Sequence, residues 1–181
     1  MTSTLPRVNF LGVIAGVLAL VSIILPWWGI TATGFSSATS SMWGFFGAPS
    51  HNPDVNTSSF SDTITTYSPI ILALVLLTTA LAIAGSFTTR VRVLAGGLAA
   101  SATALVGYSE LIGYSLSSSC QGAGCITSLT GSESIGVITL NWGFQLGFYF
   151  FLATTILLVI GLAFHQTLTR RSKEAASNQK A

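Results

Sequence analysis

Four long apolar segments constrain this chain more than any other feature of its sequence. They cover about 8–28, 69–87, 91–116 and 143–165. As an α-helix each would reach about 28 Å or more, close to the thickness of about 30 Å of a bilayer's hydrocarbon core. Only 7% of the 181 residues are charged, whereas soluble domains average about 25%. Lipid is therefore the natural solvent for this chain.

The segments predict an all-α membrane protein, an antiparallel four-transmembrane-helix bundle with a small extracellular β-rich cap formed by two outer loops. Residues 1–181 form a single membrane domain, with outer loops at 29–67 and 117–142 and a cytoplasmic tail at 166–181. Within the loops, alternating β-branched residues predict strands at about 30–35, 59–67 and 134–142.

The charges predict how the chain lies in the membrane. Four spans would bring every Lys and Arg to one side: Arg7, Arg90, Arg92, Arg170, Arg171, Lys173 and Lys180. Under the positive-inside rule, that side and both termini are cytoplasmic, as in a multi-pass protein of the plasma membrane. Tryptophan favours the membrane interface. We therefore expect an outer aromatic belt from the four tryptophans, Trp27, Trp28, Trp43 and Trp142.

Small residues recur every four positions in two of the segments. Gly12 and Gly16 form one pair, and Gly96, Ala100 and Ala104 form a longer stripe. Such stripes let helix backbones approach closely, which is a main source of helix association in lipid. We expect these residues to pack helices within the chain.

The predicted outer loops carry two modification sites. Cys120 and Cys125 lie in the second loop, where an oxidising compartment would favour a disulfide between them. A metal site is the alternative, but the only His in either loop is His51 of the first. Asn56 begins an Asn-Thr-Ser triplet, which is a glycosylation acceptor if the loop is outside.

Glu110 is the only acid inside an apolar segment. Ionisable residues in a span commonly serve proton relays, ion sites or partner contacts. Glu110 follows Arg92 by 18 residues, or about 27 Å of helix, which places it near the outer edge of the hydrocarbon core beside Tyr108 and Tyr114. A hydrated interfacial carboxylate that caps the bundle is the alternative.

Several function classes find no support in the sequence. No Ser/His/Asp or Cys/His set can be assembled on one side of the membrane, and no span carries the paired charges expected at a transporter's midplane. A net charge of +2 is too small to indicate nucleic-acid binding. The sequence therefore predicts a protein that is not an enzyme and has no cofactor, metal or nucleic-acid partner.

The layout resembles that of the claudin-like tetraspan superfamily. The shared features are both termini inside, a longer first outer loop, a shorter second one and a short inner turn. That family's first loop carries a Trp, a Gly-Leu-Trp motif and two cysteines, whereas the first loop here has Trp43-Gly44-Phe45 and no cysteine, and the cysteine pair lies in the second loop. The resemblance implies a left-handed four-helix bundle beneath a small β-sheet.

Two functions fit these expectations. The first is a structural or interaction protein whose external loops bind copies of itself or other membrane or surface proteins. The alternative is an accessory subunit of a larger respiratory or transport complex. A minor alternative is a proton or ion path that uses Glu110. The lipid bilayer is the expected partner in every case.

Overall fold

A computed structural model describes residues 8–34, 37–45, 58–88, 90–119, 126 and 128–178. Its helices are α1 (Phe10–Ile24), α2 (Ser58–Phe87), α3 (Val91–Ser119) and α4 (Leu146–Asn178). Its strands are β1 (Trp28–Gly34), β2 (Ser37–Trp43), β3 (Gly131–Ile135) and β4 (Ile138–Phe144). The strands form one antiparallel sheet in the order β2-β1-β4-β3.

The prediction of an all-α, four-transmembrane-helix bundle with a small extracellular β-rich cap is wrong. The fold combines four helices with a four-stranded antiparallel sheet. Among the described residues, three helical stretches are long and apolar enough to cross a membrane: Asp62–Phe87, Val91–Ser119 and Leu146–His165. Helix α1 has only 15 residues, which is about 22 Å of helix against a core of about 30 Å.

Pro26 explains why the first apolar run does not form one long helix. The residue before a proline is driven out of the helical region by the proline ring, and Leu25 is extended, with φ −98° and ψ 153°. Helix α1 therefore ends at Ile24. The rest of the apolar run enters the sheet, where Trp28 is paired with Trp43 on one side and Phe144 on the other.

The sheet joins the two predicted loops, because β1 of the first pairs directly with β4 of the second. The strands predicted at 30–35 and 134–142 overlap β1, β3 and β4, whereas residues 59–67 belong to α2. Phe60, Ile64 and Ile71 are buried in the core, and their spacing of four and seven residues matches a helix face. Helix α2 continues through Pro69, as membrane helices can because neighbouring groups satisfy the freed carbonyl.

The two ends of the molecule differ in chemistry. The backbone N–H of Asn9 donates to Ser86 O at 2.9 Å, and its side-chain amide donates to Gly161 O at 3.3 Å. The start of α1, the end of α2 and the middle of α4 therefore meet. Arg90 and Arg92 lie at this end, which we call the basic end. The strands connect the opposite helix ends, and we call that end the sheet end.

The small residues predicted to pack helices fall into two groups. A methyl group added at Gly12 would overlap Ser86 Oγ of α2, and one added at Gly16 would lie 2.7 Å from Ile83 Cγ1. Ala100 and Ala104 are buried. Gly96 has more room, because a methyl group there would meet only Leu81 Cδ1, at 3.4 Å. Gly12 and Gly16 therefore allow α1 to pack closely against α2.

This packing makes Gly12 and Gly16 sensitive to the addition of even a small side chain. We expect Gly12→Ala and Gly16→Ala each to destabilise the folded protein by about 1–3 kcal/mol, because the added methyl forces α1 away from α2. Unfolding of the purified protein in mixed detergent micelles would measure the change.

Gly96→Ala is the matched control for both variants. Its added methyl has room, and alanine is the better helix former by up to about 1 kcal/mol. We therefore expect no loss of stability. Equal losses from all three substitutions would contradict the α1–α2 assignment.

Candidate functional site

The sheet end is built around the fully buried side chain of Trp27. Its indole N–H donates to Ser22 O at 2.7 Å, one turn back in α1. Four aromatic rings surround it, with centroids 4.8 to 6.0 Å away: Phe45, Tyr108, Phe148 and Phe151. These rings come from the segment after β2, from α3 and from α4, so one side chain joins three parts of the chain.

The backbone around Trp27 is bonded as closely as its ring. Its N–H donates to Trp43 O at 2.8 Å, and its carbonyl accepts a bond from Gln145 N at 2.9 Å. Gly147 N donates to Pro26 O at 2.8 Å, and a methyl group on Gly147 would lie 2.5 Å from Trp27 Cδ1. Only glycine fits there. We call these five residues, Pro26, Trp27, Trp43, Gln145 and Gly147, the Trp27 junction.

A second aromatic cluster lies beside the junction. Trp28, Trp43 and Phe60 are buried, with ring centroids 4.7 to 5.5 Å apart. The Trp28 indole donates to Leu129 O at 2.9 Å, and the half-buried Trp142 donates to Ser128 O at 3.0 Å. Among the described residues, Trp43 Nε1 has no acceptor. All four tryptophans thus lie at the sheet end, and three of them are in its core.

Helix α3 presents opposite faces at Tyr108 and Glu110. Tyr108 is buried beside Trp27, and its hydroxyl has no hydrogen-bond partner among the described residues. Glu110 lies two residues later, about 200° around the helix, and its side chain is exposed. The acid predicted to be a functional carboxylate therefore points away from the aromatic core.

Glu110 lines a groove on the surface between α2 and α3, with a volume of about 340 Å³. We call it the α2–α3 groove, and its lining consists of Tyr67, Ile70, Ile71, Gly107, Glu110, Leu111 and Tyr114. Tyr67 is 48% exposed and Tyr114 is 62% exposed. Apart from the carboxylate and the two phenol groups, these side chains are apolar.

The remaining predicted sites are not brought together with this groove. Cys120, Cys125 and Asn56 lie outside the described residues, so the disulfide and the glycosylation stay predictions. Within the part of the chain that the structure describes, no group of three or more His, Cys, Asp or Glu side chains could hold a metal ion. Gly12, Gly16, Ala100 and Ala104 serve helix packing, as described above.

Sequence reasoning missed Tyr67 as a neighbour of Glu110. It assigned residues 59–67 to a strand within the first outer loop, which would have separated Tyr67 from the helix that packs against α3. The helical spacing of Phe60, Ile64 and Ile71 was the available signal. Extending α2 back to Ser58 places Tyr67 one turn before Ile71, on the groove that α2 forms with α3.

No family model matches this chain, and no curated protein matches it either. The resemblance to claudin-like proteins therefore stays a prediction from layout.

The tryptophan hydrogen bonds predict unequal effects of replacing two buried indoles. Trp28→Phe removes the donor to Leu129 O, whereas Trp43→Phe removes an N–H that no described residue accepts. Both lose similar ring volume. We expect Trp28→Phe to be the more destabilising by about 1 kcal/mol. Chemical unfolding in detergent would compare them, and equal losses would contradict the structural role of the Trp28 bond.

The buried Tyr108 hydroxyl predicts that Tyr108→Phe is neutral or stabilising, by up to about 1 kcal/mol. Burying a hydroxyl without a partner costs free energy, and phenylalanine preserves the ring contacts with Trp27. Thermal unfolding would measure this, with the exposed Tyr114→Phe as the control. A clear loss of stability in Tyr108→Phe alone would show that the hydroxyl has a bonding partner.

Proposed function

We propose that this protein is a non-enzymatic membrane component that assembles with copies of itself through the edge of its sheet. The observation that carries the proposal is the outer edge of β2. In the strand order β2-β1-β4-β3, β2 and β3 are the outermost strands. No other strand of the described residues pairs with their outer edges. Unpaired edges present backbone donors and acceptors that a further strand can bind.

The two edges differ in how well they resist such pairing. Strand β3 has five residues and carries Glu133, and short length and charge are both common protections of an edge. Strand β2 has seven residues and contains no charged residue and no proline. Edge pairing between two β2 strands would extend the sheet across a twofold dimer, the commonest symmetry of homo-oligomers. The β2 edge is therefore the better candidate for self-assembly.

The Trp27 junction supports this use of β2 because it fixes the position of the end of the strand. Trp43, the last residue of β2, is buried, and its carbonyl accepts the bond from Trp27 N–H. Strand β2 is also paired with β1 along its whole length. A preformed edge loses less conformational entropy on association than a loop would, which favours binding.

We further propose that the basic end is cytoplasmic and that the sheet end faces outward from the plasma membrane. Arg90 and Arg92 support this orientation, since Lys and Arg concentrate on the cytoplasmic side. Beyond Gly161, α4 continues past Arg170 and Arg171, so the chain's basic C-terminal segment extends from the same end. The partners would then meet outside the cell.

The minor alternative, an ion path through Glu110, is not favoured by its position. A path through the protein needs its ionisable groups to face the bundle interior or a water-filled cavity. The Glu110 side chain is exposed on the α2–α3 groove instead.

A charge on the β2 edge should weaken self-assembly. We expect the wild-type protein to form a homo-oligomer in mild detergent, and Thr39→Lys to weaken the association about tenfold or more, because the charge must be desolvated at the interface. Size-exclusion chromatography with light scattering would give the mass of each species over a range of concentrations.

Ser132→Lys, which places the same charge on the β3 edge, is the control and should leave the mass unchanged. A wild-type monomer would contradict the proposal. Purification of a stable complex with cofactor-bearing chains would instead support the accessory-subunit function.

A further inference from the structure

Glu110 occupies an unusual position for an acid in an apolar helix. Ionisable residues in membrane spans almost always face the bundle interior or a cavity, whereas Glu110 is exposed on the outside of α3. Arg92 lies 18 residues away along α3, or about 27 Å. The carboxylate therefore has no basic residue of its own helix within reach.

The α2–α3 groove is polar at one end and apolar below it. Tyr67 precedes Phe87 by 20 residues of α2, about 30 Å of helix, so Tyr67 and Glu110 are both about one hydrocarbon thickness from the basic end. Tyrosine favours that boundary. Ile71 and Gly107 lie about one turn closer to the basic end and form the apolar part of the lining.

We propose that the α2–α3 groove binds a phospholipid with an ammonium headgroup. The ammonium pairs with Glu110 between the rings of Tyr67 and Tyr114, and an acyl chain lies along Ile70, Ile71 and Gly107. The negative charge of the carboxylate favours binding of a cation, and tyrosine rings attract ammonium groups through their π faces. The apolar residues of the lining favour contact with a hydrocarbon chain, so the cation that fits best is one attached to such a chain.

Other cations fit this groove less well. A Ca²⁺ ion takes six to eight oxygen ligands as a general rule, and Glu110 is the only carboxylate that the described residues contribute to the groove lining. A second copy of the chain, inserted in the same direction, would bring its Arg90 and Arg92 to the opposite end of the groove. The inference requires membrane insertion but does not rest on assembly through β2.

The experiment uses the purified full-length protein in nanodiscs that contain equal amounts of phosphatidylethanolamine and phosphatidylglycerol with the same acyl chains. Native mass spectrometry of the released protein measures which lipid stays bound. We expect the ethanolamine lipid to be retained about fivefold more than the glycerol lipid. Glu110→Gln should abolish that preference while leaving the circular dichroism spectrum unchanged.

Two controls make the result specific to the groove. Asp62→Asn removes a different exposed acid, which lies on α2 near the sheet end and outside the groove lining, and should keep the wild-type preference. Phosphoethanolamine without acyl chains should not displace the lipid at equal concentration, because it lacks the hydrocarbon chain.

Equal retention of both lipids by the wild type, or an unchanged preference in Glu110→Gln, would overturn the proposal. A purified partner chain that binds wild type through a basic residue, and fails to bind Glu110→Gln, would assign the groove to a protein helix instead.

Discussion

The Trp27 junction is the constraint on which the rest of this structure depends. A chain that leaves a helix inside a packed core must find partners for its freed backbone groups, because an unpaired buried N–H or C=O costs free energy. Pro26 ends α1 at such a point, and the groups that follow are bonded at once. Trp27 N–H bonds to β2, and the carbonyls of Pro26 and Trp27 accept bonds from the start of α4. Pro26 and Trp27 therefore connect the end of α1 to β2 and to the start of α4.

The junction also sets the rotation of α3. The ring of Tyr108 packs against Trp27 with centroids 4.9 Å apart, which turns that face of the helix toward the core. Glu110 must then face outward, because two residues along a helix correspond to about 200°. The α2–α3 groove and its exposed carboxylate thus follow from the packing of an aromatic side chain on the other face of the same helix.

The sheet end therefore offers two surfaces of different chemistry. The β2 edge presents backbone hydrogen-bonding groups and no charge, which suits another strand. The α2–α3 groove presents a carboxylate above an apolar lining, which suits a cationic amphiphile. The same core of buried aromatic residues supports both surfaces. Pairing of a strand with the β2 edge would not require an occupied groove, and lipid binding in the groove would not require a paired edge. A function in assembly and a preference for a lipid could thus be separated by substitution.

The sequence by itself determined the apolar character of the chain, the concentration of basic residues near certain helix ends, and the spacing of small residues along single helices. These follow from composition and from spacing along a single helix. Sequence also contained the helical period of Phe60, Ile64 and Ile71, although the β-branched residues between them favoured a strand. Hydrophobicity alone, however, does not distinguish a buried helix from a buried strand. The first apolar run therefore gave no sign that Trp28 belongs to the sheet.

Only the tertiary structure decided which segments meet. The pairing of β1 with β4 joins Trp28 to Phe144, residues too far apart in sequence for any local pattern to connect. The same holds for Gly147, whose missing side chain makes room for Trp27, and for the outward direction of Glu110. Depth along a helix can be counted from sequence, because the rise per residue is constant. The direction in which a side chain points depends on the packing of the whole helix against its neighbours.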